Sequence, residues 1–139
     1  VWGSVQHGVL WIGPDEYYVY TEDAAMTEKL AELARTPNPE NSDQVGSIVD
    51  NSQRFVGFRL EGAGGEQLLS AYCPLDLSLK EFPVDKTTRT IMGKIDVLLW
   101  RLEEHKFHLE IARSFAQYGV SLLSFAQTNQ RALSEAGLA

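Results

Sequence analysis

Few side chains in this sequence have the type and spacing that chemistry needs. Cys73 is the single cysteine. A thiol becomes a nucleophile or ligand when a neighbouring cation or cysteine pair holds it as thiolate. The run Ser70-Ala71-Tyr72-Cys73-Pro74 offers neither, so Cys73 reads as a buried structural thiol. Asp15 and Glu16 are adjacent carboxylates that could act as an acid/base pair, which requires desolvation to part their pKa values. They follow Gly13-Pro14, a turn signal, and read as a solvated turn tip. His105-x-x-His108-x-Glu110 approaches metal-ligand spacing. Ligands of a tetrahedral ion must converge, whereas strand positions three apart face opposite sides, so no metal is expected. Gly62-Ala63-Gly64-Gly65 lies where dinucleotide-binding loops lie, but the third glycine of G-x-G-x-x-G falls at Gln67. A tight turn is the better account. No catalytic, cofactor-binding or metal-binding residue is expected.

The elements that must position these residues are legible from periodicity. Val56, Phe58 and Leu60 alternate with Phe55, Gly57 and Arg59, the period of a strand with one buried face. Gly62 ends that strand, and a short helix follows with Leu68, Leu69 and Tyr72 on one side. Pro74 stops it, because proline disfavours helical angles at the preceding residue. Upstream, Val9–Ile12 and Tyr17–Tyr20 read as a hairpin around Gly13-Pro14-Asp15-Glu16. Thr21 is placed to cap a helix carrying Glu22 and Asp23 in its first turn and Met26, Leu30 and Leu33 as a core stripe. Thr36–Gln44 is a polar, proline-containing loop and Gly46–Asp50 a short strand. Downstream, Thr87–Met92 is β-prone, and Ile95–Trp100 and Phe107–Ile111 form a second hairpin with one solvated side.

The last element is a helix opening at Ser114, where Ser114 and Gln117 have capping-box spacing. Phe115, Tyr118 and Leu122 share one face, and no residue from Ser114 to Gln130 is charged. A surface helix usually carries charge on its outer face. Loss of charge with retained hydrogen-bonding groups fits a helix covered by another protein, and equally one packed within its own fold. Ser114, Phe115, Gln117, Tyr118 and Leu122 are therefore candidates for a partner interface or a packing helix. Gly119, which costs an exposed helix about 1 kcal/mol relative to alanine, favours close packing.

The whole reads as a single α+β domain over residues 1–139, an antiparallel sheet packed with helices. A hydrophobic share of 44% and a charged share of 22% are those of a soluble globular chain. The formal net charge of -7 disfavours nucleic acid and anionic membranes. No apolar run reaches the length of about 18 residues that a membrane span needs, and one cysteine allows no internal disulfide, which suits a reducing compartment such as the cytoplasm.

Leu10-Trp11-Ile12-Gly13-Pro14-Asp15-Glu16, Arg59-Leu60-Glu61-Gly62, Cys73-Pro74-Leu75-Asp76-Leu77, Phe82-Pro83 and Ala112-Arg113-Ser114-Phe115-Ala116-Gln117-Tyr118 occur in this order. In order and spacing, from about Val9 to Phe125, the chain resembles the gamma subunit of heterotetrameric sarcosine oxidase. The resemblance implies an accessory, non-catalytic subunit with alpha, beta and delta partners. Such complexes demethylate sarcosine to glycine with oxygen, giving hydrogen peroxide and formaldehyde or 5,10-methylenetetrahydrofolate. FAD, FMN and NAD are expected on other subunits, with tetrahydrofolate as one-carbon acceptor. The fold implied is that of the folate-binding domain of the aminomethyltransferase of glycine cleavage. The K-G-C-x-x-G-Q signature of a related branch is absent, since Ala71-Tyr72 precedes Cys73 and Pro74 follows it. Family members usually carry a segment before the first hairpin, which is expected to be missing here. The alternative is a free-standing folate-binding domain, resting on Asp50 and Asp76. A scaffold of a complex acting on another N-methylated amino acid fits as well, because the substrate would be chosen by another chain.

Overall fold

The structure is a computed structural model and describes residues 2–3, 7–35 and 47–137. The chain divides into two compact units, Val1–Ser52 and Gln53–Ala139. Both are built from antiparallel strands and helices, the α+β class expected.

The first unit holds β1 (Trp2–Gly3), β2 (His7–Gly13), β3 (Glu16–Thr21) and α1 (Ala24–Arg35), with strand order β1-β2-β3. The expected hairpin forms: Gly13 pairs with Glu16 across Pro14-Asp15, and Trp11 lies opposite Tyr17. β1 was not foreseen, and β2 and β3 each run beyond the expected bounds at both ends. The helix begins later than expected, and its cap is Asp23. The Asp23 carboxylate accepts the Ala25 N–H at 2.9 Å, while Thr21 Oγ1 accepts the Asp23 N–H at 3.0 Å. Thr21 still belongs to β3, so the next side chain able to cap takes the role. The stripe Met26-Leu30-Leu33 is not core: Met26 and Leu33 are exposed and Leu30 half-buried.

Residues 36–46, with the whole of the expected polar loop and Gly46, lie outside the described residues. Ser47–Asp50 is not a strand. The Asp50 carboxylate accepts the backbone N–H of Ser52 at 2.9 Å and its hydroxyl at 2.5 Å. That local turn competes with strand pairing.

The second unit is a four-stranded sheet of order β4-β7-β6-β5, comprising β4 (Phe55–Glu61), β5 (Thr87–Met92), β6 (Ile95–Glu103) and β7 (Lys106–Ala112). Its register places Val56, Phe58 and Leu60 opposite Ile111, Leu109 and Phe107, and Val97 and Leu99 opposite Ile111 and Leu109. These residues share one face, as period-2 alternation requires. Leu69, Cys73, Leu77 and Phe82 complete the core, and Leu122 and Leu123 pack against it. Each such fully buried side chain contributes about 1.5–3 kcal/mol.

Gly62 N–H donates to His105 O at 2.9 Å, fastening the end of β4 to the β6–β7 turn. α2 (Gly65–Ser70) follows. It ends before Pro74, yet Cys73 N–H still donates to Leu69 O at 2.8 Å, so the turn runs on to the residue before the proline. The second hairpin differs from expectation on its other face. Leu98 and Trp100 are buried there as well, because β6 is apolar at both parities, and His108 and Glu110 are half-buried rather than solvated.

Candidate functional site

α3 (Ala116–Glu135) is reached through a 3-10 turn, Arg113–Phe115. No side chain caps α3: the Ala116 N–H donates to Arg113 O inside that turn, so the Ser114–Gln117 capping box does not form. The strand runs straight into the turn, whose backbone supplies the acceptor. The buried positions are Gly119 and Ala126, with Leu122 and Leu123 packed on the core. Phe115 and Tyr118 sit at the exposed edge instead, and Gln117 faces out. Of the five candidates, only Leu122 packs on the core.

Two glycines set how α3 lies on the sheet. A Cβ on Gly119 would stand 2.6 Å from Ile111 Cδ1, a separation no real Cβ tolerates, so glycine lets the helix approach β7. Gly93, at the β5–β6 turn with φ +63°, would place a Cβ 2.8 Å from Leu122 Cδ1 and 2.9 Å from the Tyr118 hydroxyl. The exposed large apolar side chains on α3 and the turn before it are Phe115, Tyr118, Val120, Phe125 and Leu133. Two hydroxyls of α3 are used within the helix: Ser121 donates to Gln117 O and Thr128 to Ser124 O, both at 2.9 Å. As far as Gln130, apolar area and neutral polar groups without charge are what the exposed side of α3 offers.

The other candidates resolve into local roles. Cys73 is buried in the core, its sulfur 3.8 Å from Thr90 Oγ1. Asp15 lies exposed at the hairpin tip. In the glycine turn, Gly65 N–H donates to Gly62 O at 3.0 Å and Gly65 packs on Phe107, which closes the loop. His105 is in the β6–β7 turn beside Glu104, at 3.7 Å, while His108 on β7 meets Glu110 at 2.8 Å. The two histidines do not converge, and among the described residues no group of three ligand-type side chains could hold a metal. Trp100 stands edge-on to His108 with ring centroids 6.3 Å apart. Asp76 accepts the Ser78 N–H at 2.9 Å, which holds its carboxyl below the usual range, and Ser52 does the same for Asp50. Lys106 is pushed up by its hydrogen bond to Glu103, with Glu61 also close, at the rim of an open cleft of about 350 Å³.

Arg101 is the residue that sequence reading missed. It is 0% exposed and shares the core parity of Ile95, Val97 and Leu99 on β6. Its guanidinium stacks on Phe107 at 4.4 Å and donates to Leu77 O and, at 2.5 Å, to Glu104 O. Glu66 on α2 lies 3.3 Å away. Nε finds no acceptor among the described residues. A cation at a core-facing strand position was the available signal. No helix among the described residues is long and apolar enough to cross a membrane.

Comparison with known proteins places this geometry. Residues 2–129 match the sarcosine oxidase, gamma subunit family. The chain is 33% identical to the sarcosine oxidase subunit gamma of Corynebacterium sp. (strain P-1), covering 87% of this chain and 57% of the relative. It is 30% identical to that of Arthrobacter sp., covering 86% and 56%. It therefore spans little more than half the length of these relatives. Among solved structures it is similar to a chain of heterotetrameric sarcosine oxidase from Corynebacterium sp. U-96 in complex with pyrrole 2-carboxylate. That likeness has a TM-score of 0.77 at 30% identity, over 89% of this chain and 60% of the other. Sequence and fold agree over nearly the same stretch, and the chain belongs to the sarcosine oxidase gamma subunit family.

Proposed function

We propose that this chain serves as the accessory, non-catalytic gamma subunit of a heterotetrameric sarcosine oxidase, joined to alpha, beta and delta subunits in the cytoplasm. The complex would oxidise the N-methyl group of sarcosine with oxygen and water, releasing glycine, formaldehyde and hydrogen peroxide. With tetrahydrofolate present, the one-carbon unit would leave as 5,10-methylenetetrahydrofolate. The observation that carries this reading is the fold likeness at 30% identity to a chain of a heterotetrameric sarcosine oxidase.

The absence of an active site in this chain is supported by the use of its reactive groups. Asp50 and Asp76 close local turns, Cys73 is packed in the core, and the glycine turn closes on itself. These residues do not fit FAD, FMN or NAD, which the reading assigns to the other subunits. The fold we propose is similar to that of the folate-binding domain of the aminomethyltransferase of glycine cleavage. The outer face of α3, with Phe115, Gln117 and Tyr118 beside Val120 and Phe125, is proposed to meet a partner, while Leu122 holds the helix to its own sheet.

Co-expression with the flavin-bearing subunits tests the proposal. The chain is expected to co-purify with them and to raise the yield of soluble flavin complex. A stable monomer with no affinity for those subunits would refute it. Titration calorimetry of the isolated chain with tetrahydrofolate is expected to give no heat.

A further inference from the structure

The first unit leaves apolar surface uncovered on two elements. On α1, Met26 is 40% exposed and Leu33 57%, although they share a helical face with Leu30. On the hairpin, Trp11 and Tyr17 lie opposite each other and Val19 follows two residues along, all three exposed. Helices shorter than about 12–15 residues are marginal in water even in favourable sequences and owe their stability to packing of an apolar face. α1 has 12 residues, an Asp23 cap and no buried residue at Met26, Leu30 or Leu33.

Charge says what kind of surface can cover it. Residues 1–52 contain nine Asp and Glu against two Lys and Arg, while residues 53–139 contain ten of each. The whole excess of -7 lies in the first unit. A second copy of the chain would bring like charge to like charge, and an anionic membrane or nucleic acid would be repelled. An apolar groove with a positively charged surround is attracted instead and desolvates Met26 and Leu33 at the same time.

We propose that α1 and the Tyr17–Val19 edge of the hairpin dock into an apolar, lysine- and arginine-rimmed groove on a partner subunit. This rests on the reading of the chain as a subunit and adds which surface and which chemistry the partner uses. It is independent of α3, which carries no charge before Arg131.

The test uses the full chain and the flavin-bearing subunits, with association followed by biosensor at low and high salt. Met26→Ser combined with Leu33→Ser is expected to weaken binding by about tenfold or more at both salts, since a tenfold change is what about 1.4 kcal/mol produces. Glu22→Lys combined with Glu28→Lys is expected to slow association several-fold at low salt, with the difference gone at high salt. All four side chains are exposed, so these variants keep the fold. Hydrogen exchange of α1 should slow on assembly. Variants that bind as the unaltered chain does, or a dimer of the isolated chain that Met26→Ser dissociates, would overturn the inference. Failure of the unaltered chain to bind any flavin-bearing subunit would instead remove the subunit reading, and this inference with it.

Discussion

The guanidinium of Arg101 ties three segments to β6: the β6–β7 turn through Glu104 O, the stretch after α2 through Leu77 O, and α2 itself through Glu66. A buried cation is tolerable only where its donors are met, and here most of the satisfaction comes from carbonyls. Arg101→Lys is expected to destabilise the chain by about 2 kcal/mol, because an ammonium cannot present the fork and leaves buried carbonyls unsatisfied. Glu66→Gln should cost less than about 1 kcal/mol, since Glu66 is 38% exposed and its pairing is screened. Urea unfolding of the two variants checks the order; equal losses would mean the ion pair, not the carbonyls, holds Arg101. A pH effect belongs at this scale too. The Ser78 N–H depresses the Asp76 carboxyl below its ordinary 3.8. Its contribution is fully present above that ordinary value and is lost as pH falls through the depressed one. An NMR titration of Asp76 should therefore show a midpoint below that of the same residue in unfolded chain, and Ser78→Pro, which removes the N–H, should raise it.

At the scale of elements, strands were more legible than helix faces. From Val56 to Glu61 and from Lys106 to Ile111, β4 and β7 alternate apolar and polar residues, so their buried face could be read directly, whereas the pairing of β4 with β7 could not. β6 could not, because Leu98 and Trp100 make both parities apolar and Arg101 sits where a core residue is expected. α3 was legible as a helix without charge, but its phase was not. Its innermost positions are Gly119 and Ala126, residues with little hydropathy, and the neighbouring aromatics Phe115 and Tyr118 gave the louder signal while lying at the edge. Close approach of helix to sheet requires small residues there. Gly119→Val should consequently cost about 1–3 kcal/mol by overpacking against Ile111, read as a lower urea midpoint. Phe125→Asp, at a position 61% exposed, should leave that midpoint within about 0.5 kcal/mol of the parent while weakening association with the flavin-bearing subunits. A Phe125→Asp variant that assembles normally would remove α3 from the interface.

Across the whole molecule, burial is unevenly shared. Among the described residues of the first unit, Leu10 is the one buried apolar side chain, whereas the second unit buries a continuous cluster from Leu69 to Ile111. Segments with few buried contacts open locally at low free energy, well below the global value. The same division holds for charge, all of whose excess lies in the first unit. That contrast could not be read from hydropathy, because Met26, Leu30 and Leu33 repeat as a core stripe would and only the structure leaves them uncovered. Hydrogen exchange on the isolated chain should show amides of β2, β3 and α1 exchanging before those of β6 and β7. The gap should narrow when the flavin-bearing subunits are added, because a covered helix no longer opens alone. If β2, β3 and α1 in the isolated chain were protected as strongly as β7, the first unit would hold its own stability and would need no partner to order it. The opposite is expected: an acidic, thinly packed unit gains protection in the assembly, while the second unit brings a finished core to it.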